Sequence, residues 1–259
     1  MKKNSGTVSI IMPAFNAGEY IEESIKSIQA QTYPYWELLV VDDCSQDNTK
    51  NVINNLMKND SRIKLLHNKY NSGAAISRNY ALREATGKWI AFLDGDDVWL
   101  PDKLDKQIRF MLKHNYKFTY TDYRIRLNGE WKPYINIGPN VVTKWKLYNY
   151  CYFSTITVMY DREYIGLIQI ADIKKNNDYA MWFELIKKAP CYRLPLCLSY
   201  YYKHDNSISS GSKFKLIKHH YIMYRKALKK SKIASGLYTI NNLFWGVLKK
   251  ILYKKKVEE

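Results

Sequence analysis

"KWIAFLDGDD" (residues 88–97) is the stretch of sequence that decides the fold. Its apolar centre, "WIAFL", has no polar interruption, which is typical of a strand buried on both faces of a sheet. Its end is abruptly acidic, because Asp94, Asp96 and Asp97 follow one another closely. Carboxylates this close repel each other and raise each other's pKa unless a positive charge neutralises them. The stretch therefore predicts a buried strand that ends where a cation binds.

Strand and helix signals alternate around this stretch through the first 120 residues. Predicted strands have continuous apolar runs and lie at 8–15, 36–43, 63–68, 88–97 and 117–125. Predicted helices lie at about 17–31, from the polar turn after the second strand through about Met57, at about 74–85 and near 101–115. Such alternation indicates an α/β fold, a mostly parallel sheet covered by helices on both faces. Ligands bind such sheets at the carboxyl ends of the strands, where "DD" at 42–43, "HN" at 67–68 and "DGDD" at 94–97 all fall.

The second half of the chain is less regular. We predict a strand at 154–160, a helix at 177–189 and an aromatic-rich strand at 191–204. Two lysine-rich amphipathic helices follow, at 214–230 and 236–256. The predicted organisation is a catalytic domain over 1–212, divided near residue 120 into two halves, and a basic helical tail over 213–259.

Charge is concentrated in that tail. The chain has 259 residues, is 46% apolar and carries a net charge of +17, and from Lys213 onward 13 basic residues face only 2 acidic ones. A basic segment of this kind favours an anionic partner, either a membrane surface or a nucleic acid. No apolar run is long enough to span a bilayer, and we expect no signal peptide. The four cysteines show no metal-binding spacing, so we expect free thiols in a cytoplasmic protein.

The cation at "DGDD" is most economically a divalent metal ion. Asp94 and Asp96, separated by Gly95, are able to turn toward one ion, and hard oxygen ligands suit Mg²⁺ or Mn²⁺. Two carboxylates are too few to enclose such an ion, so water and phosphate oxygens would complete its shell. The alternative is that these aspartates only cap a turn and the next helix.

The chain resembles the family 2 glycosyltransferases of the GT-A fold, in several long motifs that occur in the family's order. The opening motif is "VSIIMPAFNAGEYIEESIKSIQAQTYPYWELLVVDDCSQDNT". The donor and metal motif is "NSGAAISRNYALREATGKWIAFLDGDDVWLPDKL". The closing motifs are "NNDYAMWFELIKKAPCYRLP" and "YYYKHDNSIS". The resemblance is strongest to small bacterial enzymes that build O-antigen and teichuronic-acid-type polysaccharides. It implies a Rossmann-like GT-A sheet with the basic helical extension appended.

The resemblance also implies roles for individual residues. It implies a donor site for a UDP-sugar formed by Pro13, Ala14, Phe15, Glu19, Asp43, Asn71, Gly73, Arg78, Asp94 and Gly95. Asp43 is expected to accept a hydrogen bond from the uracil N3–H. Arg78 either contacts the diphosphate or pairs with a surface charge near Glu84. Asp96 and His204 are the expected ligands of Mn²⁺ or Mg²⁺.

Asp178 is the expected general base of an inverting transfer, since the family places an acidic residue at this helix start. The family's usual acidic pair is replaced here by Asn177 and Asp178, which leaves open how the base is supported. Trp182, four residues on, either stacks on the acceptor sugar or is buried in the core.

The expected acceptor is a glycan or a polyprenyl-diphosphate-linked saccharide at the inner face of the cell membrane, and the donor delivers a hexosyl or N-acetylhexosaminyl group. The tail either contacts that membrane or packs on the domain with solvated lysines.

A nucleic-acid-binding protein would leave the aspartate cluster unexplained, so we expect no nucleic acid. A non-catalytic binder of sugar nucleotides would not need Asp178.

Overall fold

The computed structural model describes residues 5–203 and 213–257. Its strands are β1 Val8–Ala14, β2 Trp36–Asp42, β3 Ile63–His67, β4 Trp89–Phe92, β5 Val98–Trp99, β6 Phe118–Leu127, β7 Glu130–Asn136, β8 Val141–Val142, β9 Met159–Asp161, β10 Cys191–Lys203 and β11 Lys254–Lys256. Its α-helices are α1 Ile21–Gln29, α2 Thr49–Met57, α3 Ala74–Glu84, α4 Lys103–His114, α5 Lys144–Asn149, α6 Arg162–Ile165, α7 Asn177–Ile186, α8 Lys213–Ile222 and α9 Lys232–Leu252. The predicted α/β architecture is confirmed.

The centre of the sheet is parallel and runs in the order β3-β2-β1-β4. Every residue of β2 and of β4 is buried, as the unbroken apolar sequence of β4 and the apolar run Leu38–Val41 of β2 predict. Ala14 lies beside Asp42 in the register of β1 and β2, and Ile11 lies beside Phe92 in that of β1 and β4. The carboxyl ends of these strands therefore meet along one edge.

Beyond β4 the sheet becomes mixed. β9 is antiparallel to both β4 and β6, whereas the aromatic-rich β10 runs parallel to β6, with bulges between Leu194 and Ser199. The strand predicted at 154–160 is only partly correct, because Thr155–Thr157 form a 3-10 turn before β9. The Thr157 hydroxyl donates to the Ser154 carbonyl at 2.6 Å, a local bond that competes with strand pairing.

The C-terminal segment is built into the domain. β11 pairs antiparallel with β7 at the edge of the sheet, and α9 packs against α5. Tyr224, just after α8, is fully buried in the same apolar cluster as α7. Over the residues that the structure describes, no helix is both long and apolar enough to cross a membrane. The four cysteines are free, as expected.

Glu37 is a buried acid that ties three segments of the fold together. Its carboxylate accepts from the Ser9 hydroxyl on β1, from the Thr86 amide and hydroxyl after α3, and from the Lys64 ammonium on β3, at 2.7 to 2.9 Å. Burial by itself would raise the pKa of Glu37, but these hydrogen bonds outweigh it and lower the pKa to about 2.

Replacement of Glu37 by glutamine should therefore destabilise the fold in a pH-dependent way. A folded pKa of about 2 against an ordinary 4.5 corresponds to about 3 kcal/mol of stability above pH 4.5. That contribution is lost as the pH falls from 4.5 toward 2, so the unfolding free energies of the wild type and of Glu37→Gln should converge near pH 2. Urea unfolding across this pH range measures the difference. Glu22→Gln, which removes an exposed carboxylate paired with Lys26, is the control and should change little.

Candidate functional site

The carboxyl edge of the parallel strands is anchored at Asp43, directly after β2. Asp43 is buried, and its own amide donates to the Ala14 carbonyl at 2.8 Å. Its carboxylate accepts from the Ser72 amide at 2.8 Å and the Gly73 amide at 2.7 Å, and also from the Asn68 side chain at 2.7 Å. Asp43 therefore fixes the loop that leads into α3.

Gly73 is required where this loop becomes α3. It precedes the helix with φ of 85° and ψ of 162°, a backbone conformation that favours glycine. A Cβ atom there would meet no other atom within 4 Å, so the requirement comes from the backbone angles rather than from crowding. Asn71 and Gly73 are exposed in this loop, beside the helix start where a phosphate is expected.

Arg78 on α3 is the positive charge that the acidic stretch requires. Its Nη2 atom lies 2.5 Å from Asp94 Oδ1, and its side chain is only 8% exposed. Pairing with a charge near Glu84 is therefore wrong. Burial opposes the charge on Arg78, but the nearby carboxylates of Asp94, Asp178 and Asp96 outweigh it and raise the pKa of the guanidinium. One buried cation thus lies among three carboxylates that come from two distant segments of the chain.

The turn at 94–97 packs against its neighbours. Gly95 is buried, and a Cβ atom there would lie in ordinary contact, 3.5 Å from Ala17 and from Ile21 at the start of α1. Asp97 is fully buried, and its Oδ1 atom accepts from the Tyr202 amide on β10 at 2.8 Å. Burial, and then the charges of Asp96 and Asp94, raise the pKa of Asp97 well above its usual value. Asp97 therefore joins the acidic turn to β10.

Asp178 lies in the first turn of α7 and is supported by a residue that the sequence pattern did not identify. Its Oδ2 atom accepts from the Thr155 hydroxyl at 2.7 Å, and its Oδ1 atom accepts from the Tyr179 amide at 2.8 Å. Thr155 lies in the 3-10 turn before β9, and no local motif marks it. Tyr20 was also missed; it lies close enough to Glu19 and Asp96 for both to raise its pKa, with a hydrogen bond to Glu19 as the largest cause.

One expected site residue does not join this group. Trp182 is fully buried, and its ring packs against Phe92, Phe118 and Phe153 at centroid distances of 5.5 to 6.1 Å. The predicted stacking on an acceptor is therefore wrong, since the ring has no accessible face. His204 lies outside the described residues.

The remaining expected donor residues lie at the end of β1 and just beyond it. Ala14 is buried, Pro13 is half-buried, and Phe15 and Glu19 are exposed. Phe15 therefore presents an apolar ring at the edge where the aspartates and the start of α3 also lie.

The residues at this edge suit a divalent cation. The negative charges of Asp94, Asp178 and Asp96 all act on the single guanidinium of Arg78, and hard oxygen ligands are those that Mg²⁺ and Mn²⁺ prefer. Asp97 Oδ2 and Arg78 Nε are buried without a hydrogen-bond partner among the described residues. In the part of the chain that the structure describes, no three His, Cys, Asp or Glu side chains form a group able to hold a metal ion by themselves.

Comparisons with known proteins show the family and the fold of the chain. Residues 9–165 match the model of the glycosyl transferase family 2. The chain is 39% identical to the Escherichia coli UDP-Glc:alpha-D-GlcNAc-diphosphoundecaprenol beta-1,3-glucosyltransferase WfgD, over 93% of this chain and 94% of that protein. It is also 39% identical to TuaG of Bacillus subtilis, a glycosyltransferase named for teichuronic acid biosynthesis, over 85% of this chain and 87% of that protein. The crystal structure of Staphylococcus aureus TarS 1–349 with UDP-GlcNAc superposes with a TM-score of 0.72 at 21% identity, over 93% of this chain and 73% of that one.

Replacement of Asp43 by alanine should release the loop before α3, because the Ser72 and Gly73 amides lose their acceptor. We expect hydrogen exchange at these two amides to become at least about tenfold faster, the equivalent of about 1.4 kcal/mol. Mass spectrometry of peptides that cover 68–78 measures it. Asp47→Ala is the matched control, since Asp47 accepts from the Gly18 and Thr49 amides and should affect only those. Unchanged protection at 72–73 in Asp43→Ala would contradict the assignment.

Proposed function

Because this chain belongs to glycosyl transferase family 2, we propose that it is an inverting enzyme that transfers a sugar from a UDP-sugar to a hydroxyl of a lipid-linked saccharide in bacterial surface polysaccharide assembly. The observation that carries the proposal is the buried guanidinium of Arg78 at the carboxyl edge of the sheet, which pairs with Asp94 and whose pKa the charges of Asp178 and Asp96 also raise. This group combines a site for a diphosphate with a base for a hydroxyl. The names of WfgD and of the TarS complex support a uridine donor and either a hexosyl or an N-acetylhexosaminyl group.

The donor is proposed to lie along the edge from β1 to α3. The uridine would contact Pro13, Ala14 and Phe15, and a carboxylate offers about four acceptor positions, so Asp43 retains one for the uracil N–H beside its three existing bonds. The diphosphate would meet the start of α3 and Arg78, a guanidinium suited to phosphate oxygens. Asp94, already paired with Arg78, would contact the ribose or the donor sugar.

Asp96 is the proposed ligand of the divalent ion, together with His204, which lies outside the described residues. When bound, Mn²⁺ or Mg²⁺ would offset negative charge on the diphosphate leaving group. Arg78 contributes to the same charge balance from the side of α3.

Asp178 is the proposed general base. Its carboxylate would take the proton of the acceptor hydroxyl while that oxygen attacks the anomeric carbon on the face opposite the diphosphate. An α-linked donor then gives a β-linked product, without a covalent intermediate. Thr155 holds one oxygen of Asp178 in place. It thereby supports the base where the family's usual pair has a second acid, because Asn177 is not an acid.

The proposed place of action is the inner face of the cell membrane. The name of WfgD specifies a diphosphoundecaprenol-linked acceptor, and an acceptor of this class stays in the lipid phase. The basic residues after Lys213 would contact anionic lipid head groups there. The protein would then be peripheral and meet its acceptor at the lipid surface.

Calorimetric titration with UDP tests the donor site directly. We expect binding that tightens in Mn²⁺, and we expect Asp96→Ala to lose the gain from the metal, about tenfold or more in affinity. Asp102→Ala is the control, because Asp102 is more than a third exposed and pairs with Lys106 at the start of α4. Absence of UDP binding with and without metal would overturn the uridine assignment.

Turnover of Asp178 and Thr155 variants tests the base. Asp178→Asn should abolish transfer and leave UDP binding intact, which would exclude a non-catalytic binder. Thr155→Val should lower kcat about tenfold or more with UDP affinity unchanged, because a hydrogen bond to a charged group is lost. Thr155→Ser keeps the hydroxyl and should stay near the wild type. An equal loss in the serine and valine variants would show that Thr155 acts through packing alone.

A further inference from the structure

Helix α9 exposes a continuous apolar stripe along its outer face. The stripe consists of Ile233, Leu237, Ile240, Phe244, Val247 and Ile251. Each of these side chains is between 60% and 78% exposed, which is unusual for large apolar residues in one contiguous row. Their spacing alternates between four and three residues, which keeps all six on the same side of a helix. The stripe runs through most of α9.

The opposite face of α9 already holds the helix on the domain. Asn242 donates to the Tyr179 hydroxyl at 3.0 Å, and Asn241 donates to the Tyr148 carbonyl at 3.2 Å. Gly246 packs so closely on Tyr150 that an added Cβ atom would lie 3.0 Å from the ring. The stripe is therefore not needed to attach α9, and it faces away from the apolar core.

Lysines lie at both ends of the stripe, and α9 has no acidic residue. At one end, Lys229 lies just before α9 and Lys232 is its first residue, and both are exposed. At the other end, Lys250 lies in the last turn and Lys254–Lys256 follow the helix, and all of these are exposed. Lys249 is different: it faces inward, donates to the Cys151 carbonyl at 3.3 Å, and burial lowers its pKa to about 8. The exposed lysines flank the apolar stripe with positive charge.

A basic cavity adds to the positive charge near the start of α9. Its volume is about 310 Å³. The lysines that line it are Lys144, Lys187, Lys229 and Lys230, with Glu184 as the acidic residue. Its lining is thus predominantly positive, on the side of the domain where α5, α7 and the segment just before α9 meet.

We propose that the outer face of α9 is an interfacial membrane-docking surface, with the apolar stripe inserted at the level of the acyl chains and the exposed lysines on anionic head groups. An apolar face flanked by lysines is the composition of helices that lie in the plane of a membrane surface. A second copy of the chain fits less well, because either orientation of two paired α9 helices brings lysine-rich ends together. Charge thus favours an anionic lipid surface over self-association.

This proposal deepens the proposed function and rests on it for one consequence. Tyr179 directly follows Asp178 in α7, and its hydroxyl accepts from Asn242 on the inner face of α9. The helix that would lie on the membrane therefore contacts the helix that carries the proposed base. Docking would hold Asp178 at a constant height above the lipid surface, where a lipid-linked acceptor presents its hydroxyl.

Vesicle co-sedimentation of the full chain tests the docking surface without any sugar nucleotide. We expect binding to phosphatidylglycerol-containing vesicles, weaker binding to pure phosphatidylcholine, and a decrease with added salt. The double variant Leu237→Ser with Phe244→Ser should bind at least about tenfold more weakly. Leu167→Ser is the matched control, since Leu167 is an exposed leucine outside α9 and should leave binding unchanged. Circular dichroism and the melting temperature establish that the variants fold.

Three outcomes would overturn the proposal: equal vesicle binding by the stripe variant and the control, no vesicle binding by the wild type, or a solution dimer that the stripe variant abolishes without any vesicle binding. Turnover separates this proposal from the proposed function. The stripe variant should lose transfer to a vesicle-embedded acceptor and retain it with a short-chain, water-soluble acceptor. Vesicle binding without turnover on either acceptor would leave docking supported and the transferase assignment overturned.

Discussion

The ion pair between Arg78 and Asp94 is the interaction on which the acidic edge depends, because it places a buried positive charge among carboxylates that would otherwise repel one another. Asp94 and Asp96 come from the turn after β4, whereas Asp178 comes from α7, more than 80 residues later. Arg78 comes from α3, which packs against β1 and β2. Through its guanidinium, Arg78 therefore interacts both with the turn after β4 and with the helix that carries the proposed base.

A second constraint positions Arg78 itself. The carboxylate of Asp43 holds the Ser72 and Gly73 amides, and Gly73 adopts the positive φ with which the chain enters α3. The start of α3, and with it the register that turns Arg78 toward Asp94, is thus set by a buried acid at the end of the neighbouring strand. Uncompensated buried carboxylates are costly, so the backbone amides around Asp43 are part of the stability of the site.

The C-terminal helix has two faces with different physical roles. Its inner face donates hydrogen bonds to the carbonyl of Tyr148 and the hydroxyl of Tyr179, so it belongs to the structure of the domain. Its outer face is apolar and exposed, and stability of the isolated domain gives no reason for that composition. Packing on the domain and the proposed contact with a membrane, which look like alternatives in the sequence, therefore involve different faces of one helix.

The sequence by itself determined the parallel α/β sheet, its acidic edge and the family, because buried strands and "DGDD" leave patterns among neighbouring residues. Through the resemblance it also singled out Arg78 and Asp178 as expected site residues. Only the tertiary structure decided the support of Asp178 by Thr155 and the burial of Trp182 within an aromatic cluster. It likewise decided which face of α9 stays exposed. These features depend on contacts between residues far apart in the chain, and such contacts form only when the sheet brings their segments together.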